Sequence, residues 1–562
     1  MTKSWRLLVF AAAGTAAAAA PALGGPVAGH AGGGHPQLPF CSMLGHSIQA
    51  SSGAQMYCFG PQQNGPGSVS PTGSTGSTFG SNVNAASPTE DVSANGTRAY
   101  GQSEESVAAS GSYVVEAWND STGFFSAHCS PLYKDQLTGF AFSSNGGKSF
   151  TDLGGLPNNA CATSVFSGDP SVETYKSGGT TYFYISSLYE TATSTTTSFT
   201  NGSDIAMDVC QVVSGSLSCN STPVIIATGV PTVCSNSGCT FGDFLDKDFM
   251  SIDPSHARLD VSYDRFTGLG ASQVELAVCD LSSPGSPTCY PGSGTTPYLV
   301  VYSSASDPNN CEQEGAYPSV DRATGAVYVA WEGNWPSEIG CPTPATNDVA
   351  YIPATCLTLT ATSPCSNPAM VTVPITSMSA AFIPGYNRFP MNDFPRIAVS
   401  DQNGTVSIVW NDARYHPAGD ILLQSWHLAT LTPIQSTPAI VNRSQGGWHL
   451  LPALRGVDDD GDLEISFYQR SSGTSSLTSY VAALNVSPLA TSTTAGTTVT
   501  SGSTNWSNTS SDIVPNFGDY TDNYVTIGLG TDTDENNIYA AWADGRIGEP
   551  QPFFALAHTD GS

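Results

Sequence analysis

Basic residues are scarce in this 562-residue chain, where five lysines and twelve arginines face 46 acidic residues and leave a formal net charge of −29. A surface so short of cations cannot neutralise a phosphate backbone, which excludes nucleic acid as a partner. Beyond the N-terminus there is no apolar run long enough to span a bilayer. Neither a Cys-x-x-Cys pair nor a Cys/His cluster with ligand spacing occurs, so a zinc site is not expected. Gly-x-Ser-x-Gly and His-Glu-x-x-His are also missing, which removes the usual signposts of serine hydrolases and zinc proteases. No long amphipathic helix pattern appears.

What is present begins with Lys3 and Arg6 ahead of LLVFAAAGTAAAAAPALGG, a short apolar run followed by small residues. Residues 1–31 therefore read as a secretory signal, cleaved between Ala20 and Ala31, and the mature protein is expected to be secreted and extracellular. The fourteen cysteines suit an oxidising compartment. In chain order they form local pairs: Cys41/Cys58, Cys129/Cys161, Cys210/Cys219, Cys234/Cys239, Cys279/Cys289, Cys311/Cys341 and Cys356/Cys365, a nearest-neighbour scheme that sequence alone cannot fix. Residues 32–95, rich in Gly, Ser, Pro and Asn, read as a disordered linker.

From residue 96 to the C-terminus the chain repeats. Short alternating segments end in an aromatic residue at Trp118, Tyr184, Tyr263, Trp331, Trp410, Phe467 and Trp542, at spacings of 57–79 residues. Period-2 alternation marks half-buried strands, and the Gly- or Asp-rich turn ahead of most copies marks a hairpin. A spacing of this length holds one four-stranded blade that cannot cover its own apolar face. The expected fold is an all-β propeller with seven blades, or six if one irregular unit is an insertion, and Phe553–His558 should help to close the ring. A monomer is expected.

The segment FSSNGGKSF (142–150) resembles the Asp-box of the sialidase superfamily, with Asn145 and Phe150 in place of its Asp and Trp. More broadly, the succession DKDFMSIDP, GAYPSVD, RFPMNDFPRIAVSD, WNDAR, LPALRGVDDDG, FGDYTDNY and WADGR is similar to secreted bacterial sialidase-like proteins with Asp-box repeats. The resemblance implies a sialidase-like propeller, a glycan as ligand and, if the chain is catalytic, exo-sialidase-type hydrolysis. It also implies a tyrosine nucleophile, an acid/base carboxyl and arginines that clamp the substrate carboxylate. On that basis Tyr520 with Asp519, and Asp246 or Asp248, are catalytic candidates. Lys247, Arg396, Arg414 and Arg546, with Asp393 and Asp169, are substrate-binding candidates.

Propeller geometry independently gathers most of these charges, because starts of inner strands and ends of second strands meet on one face. Another reading stands beside this one: the repeated Trp-x-Asp-x-Arg of 410–414 and 542–546 pins neighbouring blades. Such a chain would be a non-catalytic glycan- or protein-binding propeller, with latched arginines and a groove lined by Tyr317, Trp335 and Tyr386. Asp458–Asp462 and Asp532-x-Asp534-x-Asn536 alternate oxygen ligands as calcium loops do, but their flanks are not those of an EF-hand loop; acidic hairpin turns are the commoner explanation, and no cofactor is expected.

Overall fold

The structure is a computed structural model. It describes most of residues 79–559, the longest omitted stretches being 126–135, 335–344, 379–391 apart from Gly385, and 527–535. Before residue 79 it describes only Cys41, Ser51, Ala54, Gln55 and Cys58. The segment read as a signal, most of the segment read as a linker, Cys129, Cys341, Trp335, Tyr386, Asp532 and Asp534 thus lie outside the described residues.

Seven antiparallel sheets follow one another along the chain. Their innermost strands are Gln102–Ser110, Ser171–Ser177, Phe244–Asp253, Gln313–Asp321, Arg396–Ser400, His449–Ala453 and Asp522–Thr526. Seven buried clusters lie between successive sheets. Ala108, Val115 and Phe140 of the first blade join Val172 and Phe183 of the second. Further clusters join the second to the third and so on round the ring, until Tyr539 and Phe554 of the seventh meet Val107 and Val114 of the first. Each blade buries its faces on its neighbours, which closes the propeller. This is also why second strands such as Ala326–Gly333 are buried at every position, whereas the rim strand Thr151–Gly155 alternates exposed and half-buried residues.

The irregular unit is the second blade. It has eight strands, because the hairpin Thr180–Ser194/Ser198–Val213 runs past the blade and gathers extra short strands. Ring closure uses both ends of the described chain. Gln551–His558 pairs with Asn537–Asp544, and Val83–Asn84, from the segment read as a linker, adds an outer strand opposite Phe553 and Phe554.

Five of the expected disulfides are in place: Cys41–Cys58, Cys210–Cys219, Cys234–Cys239, Cys279–Cys289 and Cys356–Cys365. Three of them join residues directly opposed on paired strands. The Gly-Gly turn at 142–150 connects the two outer strands of the first blade, with the Gly147 N–H donating to Ser143 Oγ (2.9 Å) and the Ser149 N–H to Asn145 Oδ1 (3.1 Å). Asp458 is occupied likewise, since its Oδ1 accepts from the N–H groups of Asp460 (3.1 Å) and Asp462 (2.8 Å). Among the described residues no set of side chains is arranged to hold a metal ion. None of their helices is long and apolar enough to cross a membrane.

Candidate functional site

A backbone kink recurs where the inner strands begin. The register against the second strand slips between Ser103/Ser106, Asp246/Phe249, Glu314/Tyr317 and Leu450/Ala453. The residue in each bulge has a positive φ: Glu104 (61°), Lys247 (54°), Gly315 (77°) and Leu451 (49°). Asp169 (56°) and Gly518 (76°) adopt the same conformation in the second and seventh blades. At Gly518 a Cβ would lie 2.4 Å from Glu104 Cγ, so only glycine fits there. A bulge re-aims the side chains beside it, and this one turns six blades' residues towards the mouth where the inner strands start, here called the upper mouth.

The upper mouth holds a buried network centred on Lys247. Its ammonium pairs with Asp519 Oδ2 at 2.8 Å, and both side chains are 0% exposed. The Asp519 N–H donates to Glu104 Oε1 at 2.7 Å, and Asn392 Nδ2 donates to Asp519 Oδ1 at 3.2 Å. Asn119 Nδ2 links Glu104 (2.5 Å) to Asp169 (3.3 Å). Burial alone would depress the Lys247 ammonium, but Asp519, Asp169, Glu104 and Asp246 together hold it above the ordinary lysine range. Burial, reinforced by Asp169, pushes Asp246 up to about 7 against the pull of Lys247. Burial also raises Asp248 and Glu104 well above the carboxylate range.

Below this network the channel is filled. Arg396 stacks over the rings of Phe249, Tyr317 and Tyr520, at 4.6, 4.7 and 5.4 Å from their centres. It is 3% exposed, and burial lowers its affinity for the proton. The Tyr520 hydroxyl is 3.4 Å from the carbonyl of Pro170. Burial first, then Asp169, Glu104 and Asp248, pushes it well above the ordinary tyrosine range, the reverse of what activates a nucleophile. One layer further down, Arg455 pairs with Asp522 (2.7 Å) and Glu173 (3.1 Å) and ties three blades together across the axis. The opposite, lower mouth keeps a cavity of about 150 Å³, lined among others by Glu173, Ser251, Arg322, Asp401, Arg455 and Tyr524.

Seven of the ten candidates thus meet at the upper mouth or in the channel beneath it: Asp169, Asp246, Lys247, Asp248, Arg396, Asp519 and Tyr520. Asp393 lies beside them but forms part of a latch. Its N–H donates to Glu332 Oε2 (2.8 Å), and its carboxylate accepts from Asn411 Nδ2 (2.5 Å). Arg414 and Arg546 are pinned elsewhere. Arg414 pairs with Asp412 (2.7 Å) and donates to the Pro374 carbonyl of the preceding blade. Arg546 pairs with Asp544 (2.5 Å) and donates to Ser501 (2.9 Å) and Asn82 (3.0 Å). In both cases the carboxylate also accepts from the buried Trp two residues earlier, at 3.0 Å. The three arginines therefore do not converge, and Tyr317, expected to line an open groove, is buried in the channel at 3% exposure.

A second latch escaped the sequence reading. The residue directly after the aromatic, Asn119, Asp264, Glu332 or Asn411, accepts from an N–H at or just ahead of the start of the next blade's inner strand: Asp169 (2.5 Å), Gly315 (2.6 Å), Asp393 (2.8 Å) or Leu451 (3.1 Å). Its identity changes among Asn, Asp and Glu, so no single letter repeats. Arg455, Asp522 and Glu173 escaped for another reason, because their meeting on the axis depends on the stagger of blades distant in sequence.

No protein-family profile matches the sequence, and no curated protein does. Among solved structures, the chain is similar to a protein of unknown function from Dyadobacter fermentans, at 12% identity and a TM-score of 0.36 over 82% of this chain and 95% of that one. It is also similar to the Trypanosoma rangeli sialidase, at 9% identity and a TM-score of 0.31 over 87% of this chain and 60% of that one. A third is the alpha-L-arabinofuranosidase of Lactobacillus brevis, at 12% identity and a TM-score of 0.29 over 55% of this chain and 84% of that one. These values carry no argument about activity. The propeller itself rests on the chain's own seven sheets, and it is the fold that the sialidase resemblance implied.

Proposed function

We propose that this protein is a secreted extracellular β-propeller that binds a glycan or a protein and does not hydrolyse it. One observation carries the reading: the groups that sialidase-type chemistry would need are already committed inside the fold. Arg414 and Arg546 are held by Asp412 and Asp544, Lys247 is held by Asp519, and the Tyr520 hydroxyl is buried and held in its neutral form. A carboxylate clamp requires free guanidinium forks facing one point. The disulfides support an oxidising, extracellular compartment.

A second reading, a glycoside hydrolase, keeps one specific support. Asp246, pushed up to about 7, adjoins the Lys247–Asp519 ion pair, and an acid that holds its proton near neutrality is what general acid catalysis uses. Incubating the purified full chain with a panel of fluorogenic glycosides, sialosides included, separates the two. The binding reading expects no release above background, together with retention on a glycan array or a protein pull-down. Saturable turnover would replace it with the hydrolase reading.

A further inference from the structure

The described residues of the N-terminal segment are packed into the propeller. Cys41, Cys58 and Ala54 share one buried cluster with Leu188, Ala192, Ile205 and Phe244 of the second and third blades. Ser51, fully buried, opens a helical turn in which the Gln55 N–H donates to its carbonyl (2.9 Å) and the Ala54 N–H to its Oγ (3.2 Å). The N–H of Ser51 is left over by that turn, and it donates to Asp246 Oδ2 at 2.8 Å, across 195 residues of sequence.

The mouth under this turn is rich in acceptors. Glu104, Asp169, Asp246 and Asp519 surround one ammonium, that of Lys247. Asp248 is 1% exposed, has no hydrogen bond of ordinary geometry to either carboxylate oxygen, and faces Asp169 and Asp246 with the Ser186 hydroxyl nearby. Carboxyl groups that burial keeps protonated regain their charge when a cation joins them, so a site with several of them favours a ligand that brings positive charge and several N–H donors.

We propose that the upper mouth is a binding site for an amine-bearing ligand, such as an amino-sugar unit, and that the Ser51 turn occupies it in this chain, with its backbone N–H in the place of the ligand's donor. Asp246 and Asp248 would receive the ammonium, and the Cys41–Cys58 disulfide holds the turn in register. The proposal extends the binding reading above by naming where the ligand sits and what class it belongs to.

The test uses the full chain, a Cys41→Ser/Cys58→Ser variant, and Ser51→Pro in the oxidised chain, since proline has no N–H to donate. Hydrogen exchange at residues 246–248 and 518–520 reports whether the mouth is uncovered. Calorimetry with glucosamine trimer and with its N-acetylated form reports binding. Both variants should exchange faster there and bind the amine form about ten-fold more tightly than the unaltered chain, because an occupied site weakens apparent affinity in proportion to its occupancy. Adding Asp248→Asn should abolish the gain. An uncovered mouth with no preference for the amine overturns the proposal, and so does exchange that stays at the unaltered level in both variants. Turnover in the glycoside panel would overturn the binding reading instead and would leave this pattern of exchange intact.

Discussion

Asp208 should make the protein more stable as pH falls, and Asp208→Asn should remove that contribution. The residue is fully buried on the strand Ser198–Val213, directly opposite Ile185 and between Ala206 and Cys210, all three of them in the core shared by the first two blades. Neither carboxylate oxygen has a hydrogen-bond partner, and burial alone pushes the group up to about 8 from an ordinary value of 3.8. The folded state therefore binds this proton more tightly than the unfolded chain does. The stability linked to it is fully present below pH about 4 and is lost as pH rises through the folded value near 8. Between those limits the loss is about 1.4 kcal/mol per pH unit, or about 4 kcal/mol from pH 5 to pH 8. An asparagine is of similar size and does not titrate, so any penalty from its own unpaired amide is constant with pH. Denaturant unfolding of both proteins at several pH values should give curves whose difference grows in favour of the variant up to pH 8 and is flat below pH 4. Parallel curves would show that Asp208 has a partner or a route to water, and the reasoning would fail.

Asp544→Ala should cost about 3–5 kcal/mol, because it strips a buried acceptor from Trp542, Thr504 and the Arg546 guanidinium at once. Arg546→Ala removes only the partly exposed partner and should cost about 1 kcal/mol, so similar losses in thermal unfolding would contradict the latch. Gly518→Ala should destabilise by roughly 2 kcal/mol or more, since it adds a clash with Glu104 to the strain of a positive φ. Gly146→Ala, also at positive φ but facing open space, should cost about 1 kcal/mol; equal melting-point losses would refute the close approach at Gly518.

The propeller was legible because its repeat is local. Six of the seven aromatics sit one residue past the partner of the same inner-strand position, as Trp118 follows Ala117 opposite Ser106 and Trp410 follows Val409 opposite Arg396. The second blade breaks the pattern: Ser171 pairs with Ser186, so Ser187 holds the position and Tyr184 lies three residues early. Period-2 alternation cannot show where an overlong strand joins its sheet. The charged residues of the upper mouth were legible from the same periodicity, but their partners were not. Whether an arginine is free or held depends on a carboxylate two residues away and on a carbonyl in another blade, as Arg414 shows with Asp412 and Pro374. The Ser51–Asp246 contact joins a Gly/Ser-rich stretch to the third blade, and nothing in the local pattern of either segment announces it.

The central claim is that the groups at the upper mouth serve the fold and a ligand, not a reaction. Its most direct test compares the full chain with Tyr520→Phe on fluorogenic sialosides and neutral glycosides, with thermal unfolding of both. The account predicts no turnover from either protein and nearly unchanged stability, since the substitution removes one hydroxyl whose only described hydrogen bond, to Pro170, is 3.4 Å long. Turnover by the unaltered chain that disappears in Tyr520→Phe would contradict it.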